Sequence, residues 1–226
     1  MRFTRSTTII IALTFMGFLS CGERNSSHSQ NNELPDPEGK YHVGKTIEYV
    51  KGKTETAGSE GRELLIQFWY PAATDGGETC QYIQNFDAIK NEIADAMSVD
   101  EKSLELFSSE RTHSIKNATV LKNTVGWPVV ILSHGQGSLP EFSSSLAEEL
   151  ASNGFVVVGL NHTNGSSGVC FRDGTVVGYT DTDESEEAEI ARLTVWVSDV
   201  RMVLDSLENI NGENSVLKNS MDLDKI

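Results

Sequence analysis

The stretch Pro128 to Leu160, PVVILSHGQGSLPEFSSSLAEELASNGFVVVGL, decides the fold. It opens on a continuous apolar run of strand length, turns through Ser133-His134-Gly135-Gln136-Gly137-Ser138, and continues into a segment where Phe142, Leu146 and Leu150 recur every four residues beside Ala147 and Ala151. That spacing puts one apolar stripe on a helix. Gly154 ends the helix, and Phe155 to Leu160 is a second uninterrupted apolar run. Strands without polar alternation are strands covered on both faces, so strand, glycine turn, helix, strand is a βαβ unit of a parallel sheet lying between helices.

Working outward, Glu63 to Tyr70 (ELLIQFWY) reads as a strand closed by Pro71, apolar on both faces, and Thr46 to Lys51 as a shorter one. Asp87 to Ser109 reads as one or two helices, and residues 81–113 as a helical insertion or lid. Asn161 to Ser185 reads as a loop. Its acidic end, DTDESEEAE, lacks the spacing of an EF-hand and suits a solvated helix start. From Ala188 to Asn209, Ile190, Leu193, Val197, Val200, Leu204 and Leu207 step by three and four, which predicts a long helix buried along that stripe. The final MDLDKI, with Leu223 and Ile226, reads as the lead-in to a further strand.

The chain has 226 residues, with 18 Lys and Arg against 33 Asp and Glu, for a net charge of -15. Affinity for a phosphate backbone comes from basic side chains displacing counterions, so nucleic acid is excluded as a partner. Arg2 and Arg5, the apolar Ile9 to Leu19 and the small Ser20 before Cys21 have the order of a secretory leader, and the apolar run is too short to span a bilayer. FLSCGE resembles a bacterial lipoprotein signal, which implies a signal peptide over 1–20, lipidation of Cys21 and a membrane-anchored protein at the periplasmic or outer surface. Residues 21–39, rich in Ser, Asn and Pro, read as a flexible tether, and 40–226 as the folded part. If Cys21 carries lipid, Cys80 and Cys170 remain as a possible disulfide, which spacing alone cannot decide.

Five histidines (His28, His42, His113, His134, His162) show no paired metal-ligand spacing, so neither a metal nor another cofactor is expected. The turn His134-Gly135-Gln136-Gly137 is the sharpest candidate site. It leaves the carboxyl end of a buried parallel strand, where open α/β sheets place ligands, and its glycines let backbone N–H groups approach closely. It lacks a Walker lysine and a GxGxxG pattern, which leaves two readings: a tight turn with a structural histidine, or amides that stabilise an oxyanion.

Taken in order, RELLIQFWYPA, RTHS at Arg111 to Ser114, the stretch from Trp127 to Ser167 and DVRMVLDSL resemble the platelet-activating factor acetylhydrolase family of α/β-hydrolases, in its bacterial lipoprotein-like branch. YHVG at Tyr41 to Gly44 matches its opening. The resemblance implies a mostly parallel sheet with helices on both faces and a serine esterase that removes short acyl groups from phospholipids or related small esters. It assigns half of the oxyanion hole to the backbone N–H of Gln136. Where relatives carry a His-Arg-Asp-like run, this chain reads His162-Thr163-Asn164. A nucleophile elbow needs G-x-S-x-G, and the sequence contains none. None of Ser133, Ser138 and Ser166 stands in such a turn. The expectation is therefore an amino-terminal part of the fold, ending before its nucleophile and inactive alone. A polyester or dienelactone hydrolase, or a non-catalytic surface lipoprotein on the same scaffold, are the alternatives.

Overall fold

The computed structural model describes residues 34–52, 61–180, 183, 185–213 and 216–226. The leader and Cys21 lie outside them. Strands β1 (His42–Lys51), β2 (Glu63–Ala72), β3 (Thr79–Gln81), β4 (Arg111–Lys116), β5 (Trp127–Ser133), β6 (Val156–Asn161) and β9 (Met221–Asp222) form one sheet in the order β3-β4-β1-β2-β6-β5-β9. β6, β5 and β9 run parallel, as do β4 and β1. β2 is antiparallel to both of its neighbours, β1 and β6, and β3 to β4.

Both faces are covered. Helix α4 (Glu186–Gly212) puts Val203 and Leu207 against Leu64, Ile66, Phe68, Tyr70, Val156, Val158 and Leu160. On the opposite face α3 (Ser144–Ser152) packs Ala147 and Ala151 on Val43, Trp69, Leu132 and Val157. Helices α1 (Phe86–Met97) and α2 (Glu105–Ser109) fill the expected insertion between β3 and β4, where Ile89, Ile93 and Leu104 form a separate cluster with Leu139. Gly159 lets Trp69 through: a Cβ there would stand 2.8 Å from the indole ring and 3.2 Å from Pro140.

Several expectations need correction. The first strand starts at His42, four residues before Thr46, because Val43 and Lys45 continue the inward-facing alternation. The loop after Asn161 holds a hairpin, β7 (Gly168–Cys170) against β8 (Val176–Gly178), whose three-residue strands are too short to show a period. The stripe on α4 is only partly internal. Ile190, Leu193 and Val197 are 58%, 52% and 50% exposed, while Asp199, Val203 and Leu207 are buried.

Residues 34–39, assigned by composition to the tether, dock on the domain. Glu38 N–H donates to Glu149 (2.7 Å), Gly39 N–H to Ser152 Oγ (3.0 Å), and the Leu34 carbonyl meets His113 Nε2 (3.0 Å). Cys80 and Cys170 are free thiols, one on β3 of the main sheet and the other on the β7–β8 hairpin, so the possible disulfide is not formed.

Candidate active site

Parallel pairing of β5 with β6, Ser133 opposite Leu160, brings the residues that follow the two strands side by side. Ser133 closes β5, His134 opens the glycine turn, and His162 follows β6. The two imidazoles meet edge to face at 5.2 Å. From α4, Trp196 and Asp199 reach the same point, since residues three apart share a helix face. The Trp196 indole stacks on His162 at 4.3 Å and 2°.

A continuous polar relay results. Ser133 Oγ lies 2.9 Å from His162 Nε2, and His162 Nδ1 lies 2.9 Å from Asp199 Oδ2. Asp199 also accepts from Arg62 Nε at Oδ1 (2.5 Å) and from Nη2 at Oδ2 (2.8 Å), and Nη2 donates to the Thr163 carbonyl (2.8 Å). Because Asp199 is acceptor-only, the network assigns the His162 proton to Nδ1, which leaves Nε2 to accept the Ser133 hydroxyl. Burial alone would raise the Asp199 pKa; the hydrogen bonds from Arg62 and His162 outweigh it and hold the carboxyl below its ordinary value.

His134 fixes the turn to this relay. Its Nδ1–H donates to the Gly135 carbonyl (2.7 Å) and its Nε2 accepts the His162 backbone N–H (3.0 Å). A proton on Nε2 would face another donor. Burial, with the neighbouring His162 second, pushes the His134 pKa down to about 3. The rest of the turn is stitched to the loop after β6: Gly137 N–H donates to the Gly165 carbonyl (2.9 Å), and Ser167 N–H to the Ser138 carbonyl (3.0 Å). Gly137 has φ +64°, a left-handed conformation that favours glycine. A Cβ on Gly135 or Gly137 would meet nothing within 4 Å, so the outer side of the turn is open.

The predicted turn residues His134, Gly135, Gln136 and Gly137 thus stand together at the carboxyl end of the sheet. Sequence reasoning missed Arg62, Trp196 and Asp199, and the joining of Ser133 to His162. The signal available was Asp199 standing one residue before Val200 inside an apolar helical pattern: a buried carboxylate needs a partner. Beside His162, where Thr163 and Asn164 carry no charge, Arg62 and Asp199 form a buried ion pair. A cavity of about 470 Å³ lies beyond the relay, lined by Arg62, Thr163, Phe171 and Thr175 among others, and none of the turn residues borders it. Among the described residues no three His, Cys, Asp or Glu side chains gather as a metal site, and no helix is long and apolar enough to cross a membrane.

Comparison with known proteins gives this arrangement a family. The model of platelet-activating factor acetylhydrolase, isoform II, matches residues 26–225. The chain belongs to that family. It is 26% identical over 140 residues to platelet-activating factor acetylhydrolase of Cavia porcellus, and 27% over 142 residues to that of Bos taurus. These alignments take in 61% and 60% of this chain and 30% of each relative, so the chain spans about a third of their length. Among solved structures, a ferulic acid esterase from Streptomyces cinnamoneus superposes with a TM-score of 0.60 at 24% identity, over 76% of this chain and 48% of that one. That likeness establishes the shared α/β-hydrolase-type fold.

Two outcomes follow from the relay. Removing one partner of a buried ion pair leaves the other uncompensated, so Asp199→Ala should lower the unfolding free energy in urea by about 3–5 kcal/mol. A smaller change than about 1 kcal/mol would mean that Arg62 is solvated without it. For His134, whose folded pKa lies below the ordinary 6.5, the unfolded chain binds the extra proton between the two values. Its contribution to stability is whole above about pH 6.5 and is lost towards pH 3, by at most about 1.4 kcal/mol per pH unit. Urea unfolding between pH 7 and 4.5 should be steeper for the native chain than for His134→Gln, and equal slopes would contradict the assignment.

Proposed function

We propose that the chain carries the oxyanion-binding half of a serine-type carboxylic ester hydrolase. The observation that supports this reading most is the Gln136 turn, open on its outer side, flanked by glycines and pinned at the carboxyl end of β5. In acyl transfer the carbonyl oxygen gains charge as the tetrahedral intermediate forms, and preorganised backbone N–H donors stabilise it; one donor contributes about 2.7–4 kcal/mol. The Gln136 N–H is the donor in this reading. Family membership supports ester chemistry, and the names of the relatives point to a short acyl group on a phospholipid or a related small ester as the substrate.

No G-x-S-x-G elbow occurs among these 226 residues, so this reading assigns the nucleophilic serine, the carboxylate and the histidine of such an enzyme to none of them. Other ester hydrolases of this fold, of polyester or dienelactone type, are the neighbouring alternatives, and a non-catalytic lipoprotein the more distant one. A second reading has its own observation: Ser133, His162 and Asp199 form a hydrogen-bonded series with triad order. One experiment separates them. The chain is incubated with nitrophenyl acetate and with a serine-directed fluorophosphonate. The expected result is no turnover and no labelled serine; stoichiometric labelling of Ser133 with ester hydrolysis would overturn it in favour of the second reading.

The leader supports a further proposal, that Cys21 is lipidated and the domain is tethered to a membrane. In a bacterial host, Cys21→Ser should shift the protein from the detergent-soluble membrane fraction to the aqueous one. An unchanged partition would remove the anchor.

A further inference from the structure

The turn is held from two directions, and only one of them is the histidine relay. The second involves the Gln136 side chain, whose carboxamide is engaged at both ends. Its Nε2–H donates to the Tyr179 hydroxyl, and its Oε1 accepts from Arg192 Nη1 at 2.7 Å. Neither partner belongs to the turn. Tyr179 directly follows β8, and the next residue, Thr180, is tied to Asn164 by its N–H (3.2 Å) and by a side-chain hydrogen bond (3.3 Å). Arg192 stands on α4 near its Ser185 cap and donates a second hydrogen bond, from Nη2, to the Asp183 carbonyl (3.3 Å). Two anchored elements therefore grip one side chain.

We propose that Tyr179 and Arg192 are positioning residues for the Gln136 backbone donor. The inference rests on the reading of that N–H as an oxyanion donor. The physical need is plain: with glycine on both sides, residue 136 sits at the most rotatable point of the turn, and an oxyanion donor works only if its direction is fixed before the charge develops. The carbonyl of the same peptide, that of Gly135, is held by His134 Nδ1–H (2.7 Å) and by the Ser138 N–H (3.1 Å), and the next peptide by Gly137 N–H to the Gly165 carbonyl. The carboxamide pins residue 136 itself. An apolar side chain at this position would keep the turn but lose the grip, which makes the identity of Gln136 part of the device.

The test is backbone ¹⁵N relaxation of the 226-residue chain and its variants, with the amides of β5 and β6 as the internal reference for intact folding. In the native chain the order parameters of Gln136 and Gly137 should be about 0.85, as for rigid backbone, and in Gln136→Leu they should fall towards about 0.6. Tyr179→Phe, which removes a single oxygen, and Arg192→Met, on a partly exposed helix face, should each produce part of that fall. Neither should add to it in the Gln136→Leu background. Gln136→Glu keeps the acceptor for the Arg192 guanidinium and, with the direction of the bond reversed, accepts from the Tyr179 O–H, and should restore the native values. Native order parameters in all three single variants, or a Gln136→Glu chain as mobile as Gln136→Leu, would overturn the proposal. Because the readout is motion and not turnover, failure of the esterase reading would leave this result standing, and failure here would leave the esterase reading untouched.

Discussion

The carboxylate of Asp199 is the point on which the carboxyl end of this sheet depends. It is 1% exposed and fully engaged, with both oxygens taking hydrogen bonds from Arg62 and one also facing His162. Through those bonds it joins α4, the start of β2 and the end of β6, and through His162 it reaches the end of β5. A bare carboxylate in such a place would cost several kcal/mol in lost solvation, so the ion pair does not so much add stability as make the arrangement permissible. What it secures is geometry. His162 is held in one tautomer and one plane, with Trp196 stacked on its face, and its backbone N–H is thereby aimed at His134.

A division of labour follows at the turn. Its inner side is made of directional bonds to buried groups: the His134 ring, the Gly165 carbonyl and the Ser138–Ser167 pairing. Its outer side, over Gly135 and Gly137, has no neighbouring atoms to meet a side chain. Preorganised donors need both conditions, rigidity behind and access in front. The same chain section would be a poor phosphate cradle, since it offers no lysine and does not lead straight into a helix.

The core of this architecture was legible because Pro128 to Leu160 carries two uninterrupted apolar runs around a helix whose Ala147 and Ala151 pack inward; of the expected stripe Leu146 is instead 39% exposed, and the polar Glu148 is buried. Legibility failed where polar residues were put inside. Lys45 faces inward from β1 and lies over the Trp69 ring at 4.6 Å, and burial pushes its pKa down. A pattern reader stops the strand before such a residue. On α4 the apolar steps from Ile190 to Val197 suggested the buried face, but the first turns of that helix lie in solvent, and the inward face begins only with the part-buried Trp196 and the buried Asp199. The site was half visible for the same reason. A glycine turn after a strand is a local signal, whereas Arg62 and Asp199 are separated by 137 positions and become partners only through the fold.

That partnership also bears on why a Ser–His–Asp series can exist here without being a nucleophile's triad. In a working triad the histidine becomes an imidazolium as it takes the serine proton, and the carboxylate's negative charge lowers the energy of that state. At Asp199 the charge is already balanced by the Arg62 guanidinium, bound to both oxygens, so a positive imidazole would have to form beside a compensated carboxylate and not a bare one. His162 is also fully buried, with the Trp196 indole stacked across its face, so its ring is held in one orientation. Ser133 itself ends a strand and does not stand on a strained strand-to-helix elbow that would present its oxygen. The bidentate ion pair that braces the turn also leaves less carboxylate charge to stabilise an imidazolium. On that ground the proposed reading uses Ser133, His162 and Asp199 as support for the turn.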